Sequence, residues 1–187
     1  MRSLRLLSLL FLVFLPLFTT VTQAGTLVKL TTTKGVIVVE LNDKKAPLTV
    51  QNFLTYVDKG YYNNTVFHRV IKGFMIQGGG FDRKYRRKRT RARVRNESNN
   101  GLSNRRGTLA MARMQDPDSA AAQFFINQAD NSNLDYPRYG GYTVFGRVTQ
   151  GLDVVDAIAA APTSTRHYMR DVPTEDIILQ RAERLKP

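Results

Sequence analysis

The chain has 187 residues, with 28 Lys and Arg against 15 Asp and Glu, two His and no Cys. That length suits one domain with a real hydrophobic core. The missing Cys excludes a disulfide framework and a lipoprotein anchor, and with two His it argues against a structural zinc site.

Residues 1–24 read as a secretory signal. Arg2 and Arg5 make a short basic region, Leu6 to Phe18 an apolar run, and Thr22-Gln23-Ala24 a small-residue cleavage site. The apolar run of 13 residues is short for a span of about 20. An uncleaved anchor is the rival reading, and either one puts the folded part outside the cytoplasm. Cleavage after Ala24 leaves a single domain, 25–187, of 163 residues, with 26 basic and 15 acidic side chains and a net charge of +11.

Thr26 to Leu41 alternates around Thr33-Lys34-Gly35, which predicts a β-hairpin. From Ala46 to Tyr56 the period changes: Pro47 suits a first helical turn, Val50, Phe53, Leu54 and Val57 recur at helical spacing, and Gly60 ends the helix. Short β segments follow at 66–71, 74–79, 107–113, 123–127 and 142–148. Gly151 to Ala160 predicts a second amphipathic helix, with Leu152, Val155 and Ile158 on one side and Pro162 closing it. Ile177 to Leu185 reads as a last strand. Short strands with two helices fit a closed antiparallel barrel, and a sandwich would use the same strands.

Residues 66–80 set one cation, Arg69, and one amide, Gln77, among Phe, Val, Ile and Met, and end in Gly78-Gly79-Gly80. A strand needs no Arg for folding there, and a desolvated guanidinium is costly unless something accepts its hydrogen bonds. Alternation puts Phe67, Arg69 and Ile71 on one face and Val66, His68 and Val70 on the other; Met75 and Gln77 share a face, and Phe74 falls on the opposite parity. The triple Gly reads as a bulge first, and as a place for close ligand approach second. A second group, Ala112-Arg113 and Gln123-Phe124-Phe125-Ile126-Asn127, could extend an apolar wall and pair a backbone with a peptide, although Phe-Phe-Ile in a strand usually means core.

Phe67-His68-Arg69-Val70-Ile71 followed by Gly73-Phe74-Met75-Ile76-Gln77-Gly78-Gly79 resembles the signature of the cyclophilin family of peptidyl-prolyl cis-trans isomerases. Gly107 to Met114, Gln123 to Asn127 and Val144-Phe145-Gly146 match it in order, over roughly residues 26–185. Tyr61-Tyr62-Asn63-Asn64-Thr65 and the triple Gly look like the bacterial exported branch, which implies the periplasm. The resemblance implies a mainly β fold, an eight-stranded antiparallel β-barrel closed by two α-helices, with its site on the outer surface and no cofactor. It implies Arg69 as catalytic cation and Gln77 as a second catalytic residue, a hydrogen-bonding partner for the peptide. Phe74, Met75, Phe125 and Leu134 would form the proline pocket, Tyr142 would stand where many members have a completing His, and Ala112, Arg113 and Gln123 would hold the flanking peptide. Asn133 departs from the Trp or Phe of many members, which weakens the apolar rim and puts cyclosporin sensitivity in question.

The partners implied are proline-containing polypeptides, met by a monomer. The strongest feature outside this reading is basic: Arg83, Lys84, Arg86, Arg87, Lys88, Arg89, Arg91, Arg93 and Arg95 fall within 13 residues holding no acid. It reads either as a solvated loop or as a docking loop for a polyanion, such as an acidic membrane surface or nucleic acid, with Tyr85 the aromatic available for stacking on bases. The alternative function is a polypeptide-holding chaperone or polyanion-binding protein on the same barrel. A hydrolase fits poorly, since Ser119 and Ser132 lack the context of an activated nucleophile.

Overall fold

A computed structural model of the protein describes residues 25–185; the signal reading of 1–24 lies outside them. In chain order the elements are β1 (Leu27–Thr32), β2 (Gly35–Leu41), α1 (Pro47–Asp58), β3 (Thr65–Val66), β4 (Arg69–Ile71), β5 (Met75–Gly78), β6 (Thr108–Met111), β7 (Phe124–Asn127), β8 (Val144–Gln150), α2 (Leu152–Ala159), β9 (Thr163–Arg166), β10 (Met169–Pro173) and β11 (Ile178–Arg184). Nine of the strands form one antiparallel sheet in the order β3-β11-β1-β2-β8-β6-β7-β5-β4. A single continuous ladder decides between barrel and sandwich. It is strongly curled into a half-barrel, and its two end strands, β3 and β4, are consecutive in sequence.

Those end strands correct one expectation. The segment 66–71 is not one strand: β3 pairs with β11, β4 pairs with β5, and Phe67 and His68 bridge the change of partner. Counting β3 and β4 as one bent strand gives the eight expected. The bend also breaks alternation, so Phe67 is fully buried in the main core with Val70, whereas parity had placed it on the face of Arg69.

Inside the curl, side chains at every second strand position meet the two helices. Helix α1 buries Val50, Phe53, Leu54 and Val57, and the Phe53 ring lies 5.1–5.5 Å from those of Tyr62, Phe124 and Phe145. Its first turn lacks a local side-chain cap. Glu97 supplies one from far along the chain, accepting from Leu48 N at 3.1 Å, Thr49 N at 2.8 Å and the Thr49 hydroxyl at 2.7 Å; a carboxylate there also opposes the positive helix end. Helix α2 buries Val155, Ile158 and Ala159, while Leu152 is only partly covered. Gly151 before it has φ +83, and a Cβ there would sit 2.1 Å from Val36 O, so no other residue fits that turn.

The remaining two strands, β9 and β10, form a separate hairpin that the sequence pattern does not announce. Its residues, Thr163-Ser164-Thr165-Arg166 and Met169-Arg170-Asp171-Val172-Pro173, are mostly exposed or half-buried. Alternation needs a buried face to be visible, and here it is nearly missing.

Candidate active site

Residues directly opposite one another in an antiparallel ladder point to the same face. Arg69 pairs with Gln77, Gln77 with Phe125, and Phe125 with Ala110. Four strands thus lay one row across the outside of the sheet: a guanidinium, an amide, an aromatic ring and a small residue. The adjacent register, Val70–Ile76–Ile126–Leu109, is buried in the main core on the inside. Met75, Ala110, Phe125 and Val144 make a second apolar cluster under the outer row, with Ile71, Phe74, Ala112, Leu134 and Tyr142 packed against it.

A cavity of about 110 Å³ opens beside Arg69 and Gln77, floored by Met75 and Phe125 and walled by Phe74, Ala112, Arg113, Leu134 and Tyr142. Nine of the ten residues named from sequence therefore converge. A larger cavity of about 520 Å³ lies between the 40–44 and 101–105 segments, but no aromatic side chain lines it.

Phe74 reaches the cavity although parity set it on the other face. It lies in the turn before β5, where Gly73 has φ +76, Phe74 N donates to Ile71 O at 3.1 Å, and Gly73 N donates to Gln128 Oε1 at 2.7 Å. Alternation holds only within a strand, so the turn frees Phe74 to lie beside Met75. Leu134 and Tyr142 come from the 131–142 loop, tied together by Tyr142 N donating to Leu134 O at 2.9 Å. Beneath that loop runs a buried amide network invisible in the sequence: Asn131 donates to Asn127 Oδ1 at 2.7 Å and Asn127 to Asn104 Oδ1 at 3.2 Å, while Asn104 Nδ2 donates to Asp135 Oδ1 at 2.9 Å. Paired amides in low dielectric hold a loop stiffly. Asn133 is exposed and outside the cavity lining.

Gln123, the tenth residue, stands one step from the cavity. Its Oε1 accepts from Gln77 Nε2 at 2.9 Å, the Gln77 carbonyl oxygen has no hydrogen-bond partner among the described residues, and the Gln123 backbone oxygen accepts from Ala112 N at 3.0 Å. The glycines fit this packing: a Cβ on Gly80 would sit 2.5 Å from the Gln123 amide, and one on Gly79, at φ +80, 2.9 Å from Tyr62. Close approach by the protein's own side chains, more than a bulge, explains them.

Arg113 is spent on the protein. Its Nε donates to Gly141 O at 2.9 Å, one terminal nitrogen to Met114 O and Gln115 O at 2.8 and 3.2 Å, and the other to Tyr139 O at 2.6 Å, with the guanidinium 4.3 Å from the centre of the Tyr142 ring. The side chain is a strut holding Tyr142, so any grip on a flanking peptide falls to other groups. Arg69 differs. Its carboxylate neighbour among the described residues is Asp171 of the unannounced hairpin, with Nε to Oδ2 at 3.5 Å and both side chains about 40 % exposed (42 % and 40 %). Asp171 holds φ +61, a conformation costly for most residues other than Gly, Asn and Asp.

His68 is buried against Phe81, with ring centres 4.6 Å apart, and its Nδ1 has no hydrogen-bond partner among the described residues. Burial, chiefly, lowers its pKa to about 4, so the ring is neutral at ordinary pH. Ser119 serves the 114–119 turn, accepting from Met114 N at 2.8 Å and donating to Asp116 O.

Fold and site together define a cyclophilin-like half-barrel with an apolar pocket on its outer face and Arg69 at the pocket's rim. Comparison with solved structures agrees: a cyclophilin-type peptidyl-prolyl cis-trans isomerase from Cryptosporidium parvum superposes with a TM-score of 0.72 at 28 % identity, over 87 % of this chain and 98 % of that one. The same isomerase crystallised in the presence of the dipeptide Ala-Pro gives a TM-score of 0.71 at 29 % identity, over 86 % and 99 %. The family described as cyclophilin type peptidyl-prolyl cis-trans isomerase matches residues 27–184, and the chain belongs to it. It is 52 % identical over 155 residues to a peptidyl-prolyl cis-trans isomerase of Acinetobacter baylyi, covering 82 % of each chain. It is 53 % identical over 153 residues to peptidyl-prolyl cis-trans isomerase B of Escherichia coli, covering 80 % of this chain and 93 % of that one. The protein is a peptidyl-prolyl cis-trans isomerase.

Proposed function

We propose that the isomerase works through the outer row, with Arg69 as the cation that stabilises the twisted X–Pro amide in exported polypeptides and so assists their folding. The carrying observation is the register that sets Arg69 opposite Gln77 and Gln77 opposite Phe125 at the rim of one small apolar cavity. Conjugation gives the amide a rotation barrier of about 18–20 kcal/mol. As the bond twists, conjugation is lost and the nitrogen gains a localised lone pair. A guanidinium donor aimed there binds the twisted state more tightly than the planar one.

The other groups have separate tasks. Phe125, Met75 and Leu134 hold the proline ring away from water. The Gln77 amide, fixed by Gln123, orients the peptide beside the Ala112 backbone. One charge-assisted hydrogen bond contributes about 1.5–3 kcal/mol, short of the roughly 8 kcal/mol of a modest enzymatic acceleration, so desolvation and orientation supply the rest. Arg69→Ala should lower kcat/KM on an Ala-Pro-Phe peptide about ten- to a hundredfold. Undiminished activity in that variant would overturn the assignment.

Export rests on the signal-like residues 1–24. Expression in a bacterial host should yield a secreted or periplasmic protein whose first residue is Gly25, read by N-terminal sequencing.

A further inference from the structure

We propose that this isomerase selects acidic segments next to the proline, through Arg87 at the mouth of a second cleft that adjoins the proline cavity. The proposal rests on the isomerase reading above and adds the substrate class. The cleft, of about 100 Å³, shares Gln77, Ala112 and Arg113 with the proline cavity and is walled further by Ala121, Ala122 and Thr90, with Arg87 on its rim. A peptide seated in the first cavity and pairing with Ala112 presents a neighbouring side chain to the second.

The charge there belongs to a fixed strap. Lys88 N donates to Gly80 O at 2.9 Å, Val94 N to Ala120 O at 2.9 Å, and Arg91 N to the Tyr56 hydroxyl at 2.9 Å. Three of its nine cations are occupied: Arg86 pairs with Asp82 at 2.7 Å, Arg93 with Asp116 at 3.2 Å, and Lys88 folds back to donate to Tyr61 O over the Tyr61 ring. The other six, Arg87 among them, are exposed and have no carboxylate within 4.0 Å among the described residues. Arg113, the other cation in the cleft, already spends its donors on backbone carbonyls. Arg87 is therefore the cleft cation left to meet an incoming carboxylate.

The strap suits nucleic acid or a membrane less well. Tyr85, its one aromatic, donates its hydroxyl to Asp176 at 2.8 Å and stacks on His167 at 4.0 Å, so it is not offered to a base. The one aliphatic side chain longer than Ala, Val94, is buried, which leaves nothing to insert among lipids.

The test compares kcat/KM for proline peptides carrying Glu or Ala at the positions flanking the proline, at low salt and at about 0.5 M salt. The wild-type protein should prefer Glu at one position by about two- to fivefold, the size of an exposed ion pair, and salt should erase the preference. The Glu/Ala ratio should fall to about one in Arg87→Gln, invert in Arg87→Glu, and stay at the wild-type value in Arg91→Gln, a strap position outside the cleft. Turnover of both peptides at equal rates, or a Glu preference that survives Arg87→Gln, would overturn the proposal while leaving the isomerase reading intact. Failure to turn over any peptide would overturn the isomerase reading itself. Salt-sensitive binding to vesicles of anionic phospholipid that is lost in Arg87→Gln, without a Glu preference, would assign the strap to a membrane and equally overturn it.

Discussion

The two faces of the same four strands, β4, β5, β7 and β6, carry opposite instructions. On the inner face Val70, Ile76, Ile126 and Leu109 are at most 1 % exposed and belong to the main apolar core. On the outer face, one residue along, Arg69, Gln77, Phe125 and Ala110 form a row that is apolar at one end and charged at the other. Period-two geometry makes the inner row responsible for stability and leaves the outer row free for chemistry, with the same backbone bonds holding both.

The largest effect should come from breaking the inner row. Ile126→Ala leaves a cavity in a fully buried register and should cost about 2–5 kcal/mol, seen in the denaturant midpoint at unchanged slope. Arg69→Ala, on the outer row, should shift stability by less than about 0.5 kcal/mol while lowering kcat/KM about ten- to a hundredfold. If both variants lost stability alike, the division of labour between the faces would be wrong.

A second test sharpens the contrast with pH. The folded His68 resists protonation down to about pH 4, while the unfolded imidazole takes up a proton near 6.5. A depressed His pKa means the unfolded state binds more protons between those values, so stability should fall as pH drops through that window. The loss is on the order of 2 kcal/mol between pH 7.5 and 5, measurable by urea unfolding and absent in His68→Gln. The isomerisation rate should stay flat from pH 6 to 9, since His68 stays neutral across that range and lies outside the cavity lining. A step in rate inside that range would show that a titrating group takes part in the chemistry.

The smallest effect should be at Asp171. Its contact with Arg69 is long and half-exposed, and pairs of that kind contribute about 0.2–1 kcal/mol. Asp171→Ala should lower kcat/KM about two- to threefold, with Asp171→Asn recovering most of it because Asn tolerates the same backbone conformation. Equal rates in all three proteins would show that the hairpin does not position the outer row.

By itself the sequence determined the first hairpin and both helices, since each buried face imposes its own period on the residues that cover it: two for Leu27–Thr32, 3.6 for Val50 to Val57. Recognition of the motif around Arg69 supplied the site residues and nine of ten converge, although Arg113 proves to be a strut. Other features needed the folded chain. The bend at Phe67–His68, the turn that turns Phe74 toward Met75, the Asn104–Asn127–Asn131 network, Glu97 capping a helix from 48 residues away and Asp171 beside Arg69 all depend on partners distant in sequence or on a change of backbone direction. A local period carries no information about either. Which face of a strand is buried can be read from its own residues, but what arrives on the other face is decided only when the sheet curls.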